Sequence, residues 1–310
     1  MNATTIPWTD KSINPGIYGC SPAGAGCRNC YAMKKAHRLA CMGQDQYIGA
    51  AIQERGSARW SGDVRVDFDR IPVAFSKLPK KKACRVFCTS MGDLFHEDVP
   101  APFVGAVFAA MAARPHITFQ VLTKRPHRVN AYLPGDWWNV NDCDNIQIGA
   151  SCSTQADVDR LVPELLRVPA AVRFLSLEPL LEPVDLTSVS WPGCGDPAHR
   201  VDVLRAGYWN KAGWRACGPA AQLGEPRGGF TNHSNLQDSH GTIGWVIVGA
   251  ESGPNRRPCK LEWVKGEVNQ CQDAGVPVLV KQLDLDGKLS RDHSEWPEWA
   301  RVQEFPEVPK

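Results

Sequence analysis

The chain has 310 residues, of which 43% are hydrophobic and 22% charged, enough to bury a full core as one large domain or two smaller ones. No run of about 18 apolar residues is present to span a bilayer, and the start MNATTIPWTDKS lacks the features of a signal peptide, so a soluble cytoplasmic protein with no membrane partner is expected. A net charge of +2 announces no nucleic-acid partner by itself, and twelve cysteines in a cytoplasmic chain point to metal ligands, catalytic groups or small buried hydrophobes rather than disulfides.

In chain order, a short strand is expected before GCSPAGAGCRNCYA, a glycine-rich loop carrying Cys20, Cys27 and Cys30 just ahead of a helix. A [4Fe–4S] cluster is held by cysteine thiolates, so three of them leave one iron open to another ligand. Downstream, ACRVFCTS (83–90), ITFQVLT (117–123), IQIGAS (146–151), VRFLSLE (172–178), GWVIVGA (244–250) and VPVLVKQ (276–282) each read as a buried strand. Between them, PFVGAVFAAMAARP, TQADVDRLVPELLRVP and LEWVKGEVNQCQDAG have the apolar spacing of amphipathic helices, the first and third stopped by Pro115 and Gly275. The alternation predicts an α/β fold with a parallel sheet. About seven βα units favour a partial or closed (β/α) barrel over a flat doubly wound sheet.

In such folds ligands sit beyond the carboxyl ends of the strands. The residues there are polar: Thr89, Ser90, Gly92, Asp93 and His96; Thr123, Lys124, Arg125, His127 and Arg128; Ser151, Cys152 and Ser153; Glu178; Glu251, Ser252, Asn255, Arg256 and Arg257; Lys281 and Gln282. Loops are polar in general, which explains any one of these residues as well as a ligand would. A whole ring at one barrel mouth is the stronger observation.

The rhythm breaks at 185–243, rich in Gly, Pro and Trp with no repeating pattern, which predicts an insertion with a small fold of its own or a lid. Its Cys194, His199, Cys217, His233 and His240 contain enough ligands for zinc without the spacing of a paired-ligand finger. Residues 1–283 are thus expected to form the barrel around this insertion, and 284–310 a cap or tail.

The cysteine motif with Tyr31 and Ala32, together with SMGDLFHEDVP, VLTKRPHR, SLEPLLEPVDL and WVIVGAESGPNRRP, resembles a phage-associated family described by its three-cysteine motif, over roughly residues 8–283 outside the insertion. That pattern is in turn similar to radical S-adenosylmethionine (SAM) enzymes, whose usual spacing is CxxxCxxC. Here six residues separate Cys20 from Cys27, while the CxxC pair is retained. The resemblance implies a radical SAM barrel, with Cys20, Cys27 and Cys30 holding a [4Fe–4S] cluster whose fourth iron chelates SAM. It also implies one-electron cleavage to a 5′-deoxyadenosyl radical, and an electron donor such as flavodoxin or ferredoxin. Ser90, Gly92 and Asp93 of SMGDLF would meet the methionine amino group, with Tyr31 beside the motif. Lys124, Ser151 and Glu178 would meet the carboxylate and ribose, and Gly249 and Glu251 the adenine. Catalytic roles fall to Lys124, Glu178 and Cys152, whose thiol would return a hydrogen atom to a product radical. The phage setting implies a nucleobase or hypermodified pyrimidine in DNA as substrate, which would have to leave the stack to reach the barrel.

The residues alone leave other readings open. Cys20, Cys27 and Cys30 with His37 or Cys41 make a closed zinc set, and the protein would then be a zinc-stabilised nucleic-acid-binding protein without catalysis. An iron–sulfur enzyme that does not use SAM is a third reading. Lys124, Arg125 and Arg128 in one loop and Arg256, Arg257 and Lys260 in another suit phosphate, whereas Lys77, Lys80, Lys81, Lys82 and Arg85 precede a strand and read as a solvated edge. Trp137, Trp138, Trp191, Trp209 and Trp214 suit either base stacking or packing. For Cys84, Cys88, Cys143, Cys259 and Cys271, burial is the default.

Overall fold

In the computed structural model, described here for residues 4–54, 56–133, 143–191, 199–205, 207–210, 213–216 and 242–307, the fold is mixed α/β. Eight strands make the main sheet: β1 (Lys11–Ile13), β2 (Cys84–Cys88), β3 (Ile117–Thr123), β4 (Ile146–Cys152), β5 (Val172–Leu177), β6 (Trp245–Gly249), β7 (Val278–Leu285) and β8 (Lys288–Ser290). They lie side by side in chain order. A doubly wound sheet reverses its order at a switch point, so this order is that of a partial barrel. No pairing joins β1 to β7 or β8 among the described residues, which sets aside the closed barrel.

The chain divides into two compact units, 1–149 with 252–256 and 308–310, and 150–251 with 257–307, and the division falls inside β4. In the first unit β1, β2 and β3 are parallel, with Ile13 opposite Cys88 and Cys88 opposite Val121. Helix α1 (Tyr31–Cys41) follows the cysteine loop, α2 (Arg70–Ser76) precedes β2, and α3 (Ala101–Ala112) connects β2 to β3. Helix α3 buries Phe103, Val104, Val107, Phe108 and Met111 and ends three residues ahead of Pro115, which disfavours helical backbone at the residue before it. Two segments the sequence left unassigned are antiparallel pairs, Ile17–Tyr18 with Arg65–Val66 and Ala51–Glu54 with Ser57–Trp60.

In the second unit β5, β6 and β7 are parallel, and every residue of β5 and β6 is buried, the pattern of strands covered on both faces. Helix α4 (Gln155–Leu166) starts at Thr154, whose hydroxyl accepts the Asp157 amide at 3.2 Å. Helix α5 (Leu261–Ala274) ends at Gly275, whose φ of 67° suits the left-handed turn. The insertion carries a four-stranded antiparallel sheet of Val189–Ser190, Arg200–Asp202, Gly207–Asn210 and Gly213–Ala216. Strands of two to four residues are too short to show alternation, which is why the sequence read as patternless. Trp191 is buried, Trp209 and Trp214 are register partners, and Trp137, Trp138, Cys194, Cys217, His233 and His240 lie outside the described residues.

Strand β7 runs through the expected boundary at 283/284 and turns back as β8. Beyond β8 the tail is tied to β7: Glu304 donates its amide to Val278 at 3.1 Å, and Val280 donates to Val302 at 3.1 Å. No helix among the described residues is long and apolar enough to cross a membrane.

Candidate metal and cofactor site

The cysteine loop leaves β1 through a turn that three glycines make feasible. Gly16 and Gly19 have φ of 118° and 101°, and a Cβ on Gly19 would stand 2.0 Å from the Asp63 carbonyl oxygen. A Cβ on Gly92 would meet Ile17 Cγ2 at 2.8 Å and the Gly19 carbonyl oxygen at 3.2 Å. Gly92 therefore lets the loop after β2 press against the segment entering Cys20. Thr89, between β2 and that loop, holds φ of 68°, a strained value for a β-branched residue. Its buried hydroxyl has no hydrogen-bond partner among the described residues. Strain of this kind collects at functional sites.

Cys20, Cys27 and Cys30 are each half-buried and close enough for their charges to interact. Burial pushes the Cys20 thiol up to about 12; Asp93 adds to this and Arg125 opposes it. Cys30 caps α1. Burial raises its thiol, while the amides of Met33 and Ala32 and the charge of Lys124 favour its thiolate. Cys27 Sγ accepts the Ala23 amide at 3.4 Å. Asn29, between the last two cysteines, donates to the Asn255 carbonyl at 3.1 Å, bringing the SGPNR segment to the loop. Tyr31 is half exposed and its hydroxyl donates to the Ser90 carbonyl at 2.6 Å.

Beneath the loop lies an ionic network that the sequence did not reveal. Asp93 Oδ1 accepts the Phe95 amide at 3.0 Å and the Thr123 hydroxyl at 2.8 Å; Oδ2 accepts the Lys124 amide at 3.2 Å and Arg125 Nη1 at 3.1 Å. These four donors fill the carboxylate, so in this arrangement Asp93 anchors the end of β3 and has no acceptor position for an ammonium group. Arg125 also donates Nε to Glu97 at 2.7 Å and Nη2 to Ser21 Oγ at 2.9 Å. Ser21 Oγ lies 2.7 Å from His96 Nε2. Burial, then the Arg125 charge, holds the His96 pKa below its ordinary value. The signal available in sequence was only that these residues follow two strand ends.

The remaining expected positions fall in the second unit. Glu178 Oε1 lies 2.8 Å from Lys281 Nζ, and Ser176 Oγ donates to Oε2 at 3.2 Å. A Cβ on Gly249 would stand 3.4 Å from Glu178 Oε1, so Glu178 after β5, Gly249 at the end of β6 and Lys281 within β7 form one group. Glu251 is held apart from this role, since Arg257 binds it through its backbone amide at 2.8 Å, through Nε at 3.0 Å and through Nη2. Ser151 and Cys152 are the last two residues of β4; Cys152 ends the strand instead of following it, and is fully buried.

Four of the six cations in the two patches expected to suit phosphate have partners within the chain. Arg125 serves Asp93 and Glu97, Arg257 serves Glu251, and Lys260 lies 3.8 Å from Glu262 and over the Trp263 ring. Arg128 donates to the Glu97 carbonyl and the Tyr132 hydroxyl.

A family model described as "Protein of unknown function (DUF5131)" matches residues 3–295. The chain belongs to this family. No curated protein and no solved structure matches the chain. The matched range includes the cysteine loop and both carboxylate sites.

Among the described residues, no group of three or more His, Cys, Asp or Glu side chains is gathered closely enough to hold a metal ion. His37 and Cys41 on α1, the expected fourth ligands of a zinc set, have contacts of their own. His37 and Cys41 lie about 10 and 16 Å along α1 from Cys30 at 1.5 Å per residue. His37 Nε2 lies 3.0 Å from Gln53 Oε1, and Cys41 Sγ lies 3.8 Å from the same nitrogen. The donor set does fit a thiolate-held cluster: three cysteines in one half-buried loop, the Ala23 amide donating to the Cys27 sulfur, and the cations Lys124 and Arg125 at the strand ends.

Proposed function

We propose that this chain is an iron–sulfur enzyme of the radical SAM type, with Cys20, Cys27 and Cys30 holding a [4Fe–4S] cluster. The observation that carries the reading is the convergence, within the first unit, of the three-cysteine loop on the carboxyl ends of two neighbouring parallel strands, where Asp93, Lys124 and Arg125 act on the Cys20 and Cys30 sulfurs. Cofactor sites of βα folds are built at those ends. When bound, such a cluster with SAM supplies one-electron cleavage to methionine and a 5′-deoxyadenosyl radical. The chain's own residues do the rest. The helix-capping amides of Ala32 and Met33 stabilise the Cys30 thiolate. Arg125 and Lys124 offset the negative charge gathered by three thiolates. Asp93 fixes the backbone that presents Lys124, and Ser90, Gly92 and Tyr31 form the neighbouring wall. With Arg125 and Arg257 held by carboxylates, these cations do not support a phosphate-bearing substrate; the proposed chemistry is SAM cleavage, with DNA as one candidate acceptor to assay.

The test is anaerobic reconstitution with iron and sulfide, then EPR of the reduced protein with and without SAM, and an assay for 5′-deoxyadenosine. A [4Fe–4S]⁺ signal that shifts on adding SAM is expected, lost in Cys20→Ala, Cys27→Ala and Cys30→Ala and kept in His37→Ala and Cys41→Ala. Tightly bound zinc without iron, or SAM cleavage that survives any of the three cysteine substitutions, would overturn the reading.

A further inference from the structure

Ser21 follows the first cysteine, and its hydroxyl is in an unusual position. His96 Nδ1 accepts the Asp98 backbone amide at 3.2 Å, so in the neutral ring the proton sits on Nε2. That N–H points at Ser21 Oγ, 2.7 Å away. Arg125, which can only donate, approaches the same oxygen through Nη2 at 2.9 Å. A hydroxyl oxygen has two lone pairs, and both are filled. What Ser21 has left is its own hydrogen, for which no acceptor stands within reach among the described residues.

Both donors are themselves held. Arg125 is clamped by Asp93 and Glu97, and His96 lies on a turn in which its amide donates to the Asp93 carbonyl at 3.1 Å. Glu97 and Asp98 each place a carboxylate oxygen 3.7 Å from a His96 ring nitrogen, too far for a hydrogen bond. The Ser21 hydroxyl is therefore turned into an obligate donor next to Cys20.

We propose that Ser21 donates a hydrogen bond to an anionic sulfur of the group held by Cys20, Cys27 and Cys30, and that His96 and Arg125 are positioning residues that impose this direction. The inference rests on the cluster reading and deepens it. Hydrogen bonds to cluster sulfurs are among the levers that set reduction potential, since they stabilise the more negative reduced state. Removing this donor makes reduction harder.

The experiment is a potentiometric EPR titration of reconstituted wild type, Ser21→Ala, Ser21→Thr and His96→Ala, without SAM, alongside iron content and SAM affinity for each. The expected result is full iron loading in all four, a more negative midpoint in Ser21→Ala and His96→Ala than the spread of replicate titrations, and a wild-type midpoint in Ser21→Thr, which keeps the hydroxyl. A loaded Ser21→Ala cluster with an unchanged midpoint overturns the proposal and leaves the cluster reading standing. An unchanged midpoint with weakened SAM affinity also overturns it, by assigning the donor to the ligand's carboxylate. Wild type that takes up no iron overturns both readings together. Should Ser21→Ala fail to fold, the Ser21→Thr and His96→Ala pair decides the matter by the same comparison.

Discussion

Arg125 Nη1 lies 3.1 Å from Asp93 Oδ2, and the two side chains are only 6% and 8% exposed. The pair joins the loop after β2 to the end of β3 and carries the cysteine loop through Ser21. Breaking a buried ion pair by removing one partner leaves the other charge stranded, which costs about 3–5 kcal/mol. Arg125→Met and Asp93→Asn should each lower the free energy of unfolding in urea by that order. Arg125→Lys keeps the charge but not the planar fork that reaches Asp93, Glu97 and Ser21 together, so it should recover only part of the loss. Equal stability of wild type and Arg125→Met would show that the network holds nothing.

Gly92 and Gly105 separate a close approach from a helix position. Gly92→Ala inserts a methyl 2.8 Å from Ile17 Cγ2 and 3.2 Å from the Gly19 carbonyl, whereas Gly105 in α3 has open space around it. Gly92→Ala should destabilise by about 1–3 kcal/mol and reduce iron loading, because it pushes the segment that feeds Cys20. Gly105→Ala should stabilise by about 0.5–1 kcal/mol. Thermal unfolding and iron analysis of the two variants side by side check both signs.

Glu267 on α5 is a buried carboxyl whose Oε1 accepts the Val184 amide at 3.2 Å and whose Oε2 has no hydrogen-bond partner among the described residues. Burial raises its pKa to about 8; Asp185 adds to this and the Val184 amide opposes it. The folded value lies above the ordinary 4.5, so this group's contribution to stability is complete below about pH 4.5 and is lost as the pH rises through about 8. The slope across that window is at most about 1.4 kcal/mol per pH unit. Urea unfolding at pH 5, 7 and 9 should show wild type losing stability relative to Glu267→Gln as the pH rises. Parallel profiles would show that the carboxyl is ionised in the folded protein.

Trp296 tests whether the carboxyl end is packed. It is 1% exposed and donates Nε1 to Ser290 Oγ at 3.1 Å. A loose tail would tolerate its loss. Packed as it is, Trp296→Ala should cost about 3–5 kcal/mol, read as a lower midpoint of unfolding and faster proteolysis.

The six main strands and three of the helices were legible because a buried parallel strand is a short apolar run and an amphipathic helix repeats at 3.6 residues. ITFQVLT coincides with β3 residue for residue. The insertion's sheet was not legible, since its strands are shorter than one reading of the period. The tail stayed open between a cap and a loose end because Trp296 and Trp299 stand among charges and prolines, and only their partners show whether such residues are packed. At the site, Cys20, Cys27 and Cys30 announced themselves by residue type and spacing, as did the polar strand ends. The pairing of Asp93, Glu97 and Arg125 did not, because charge neutralisation between residues about thirty positions apart leaves no local pattern.

What the sequence determined alone was therefore periodic and local: the alternation of strand and helix, the three thiols in a glycine-rich loop, and the placement of polar residues after strands. The tertiary structure decided which of those polar groups have capacity left for a ligand. It spent Asp93, Arg125, Glu251 and Arg257 on one another, buried Cys152, and turned Ser21 into a donor. The physical reason is that a carboxylate or guanidinium buried without a partner is costly, so folding pairs such groups wherever the strands bring them together.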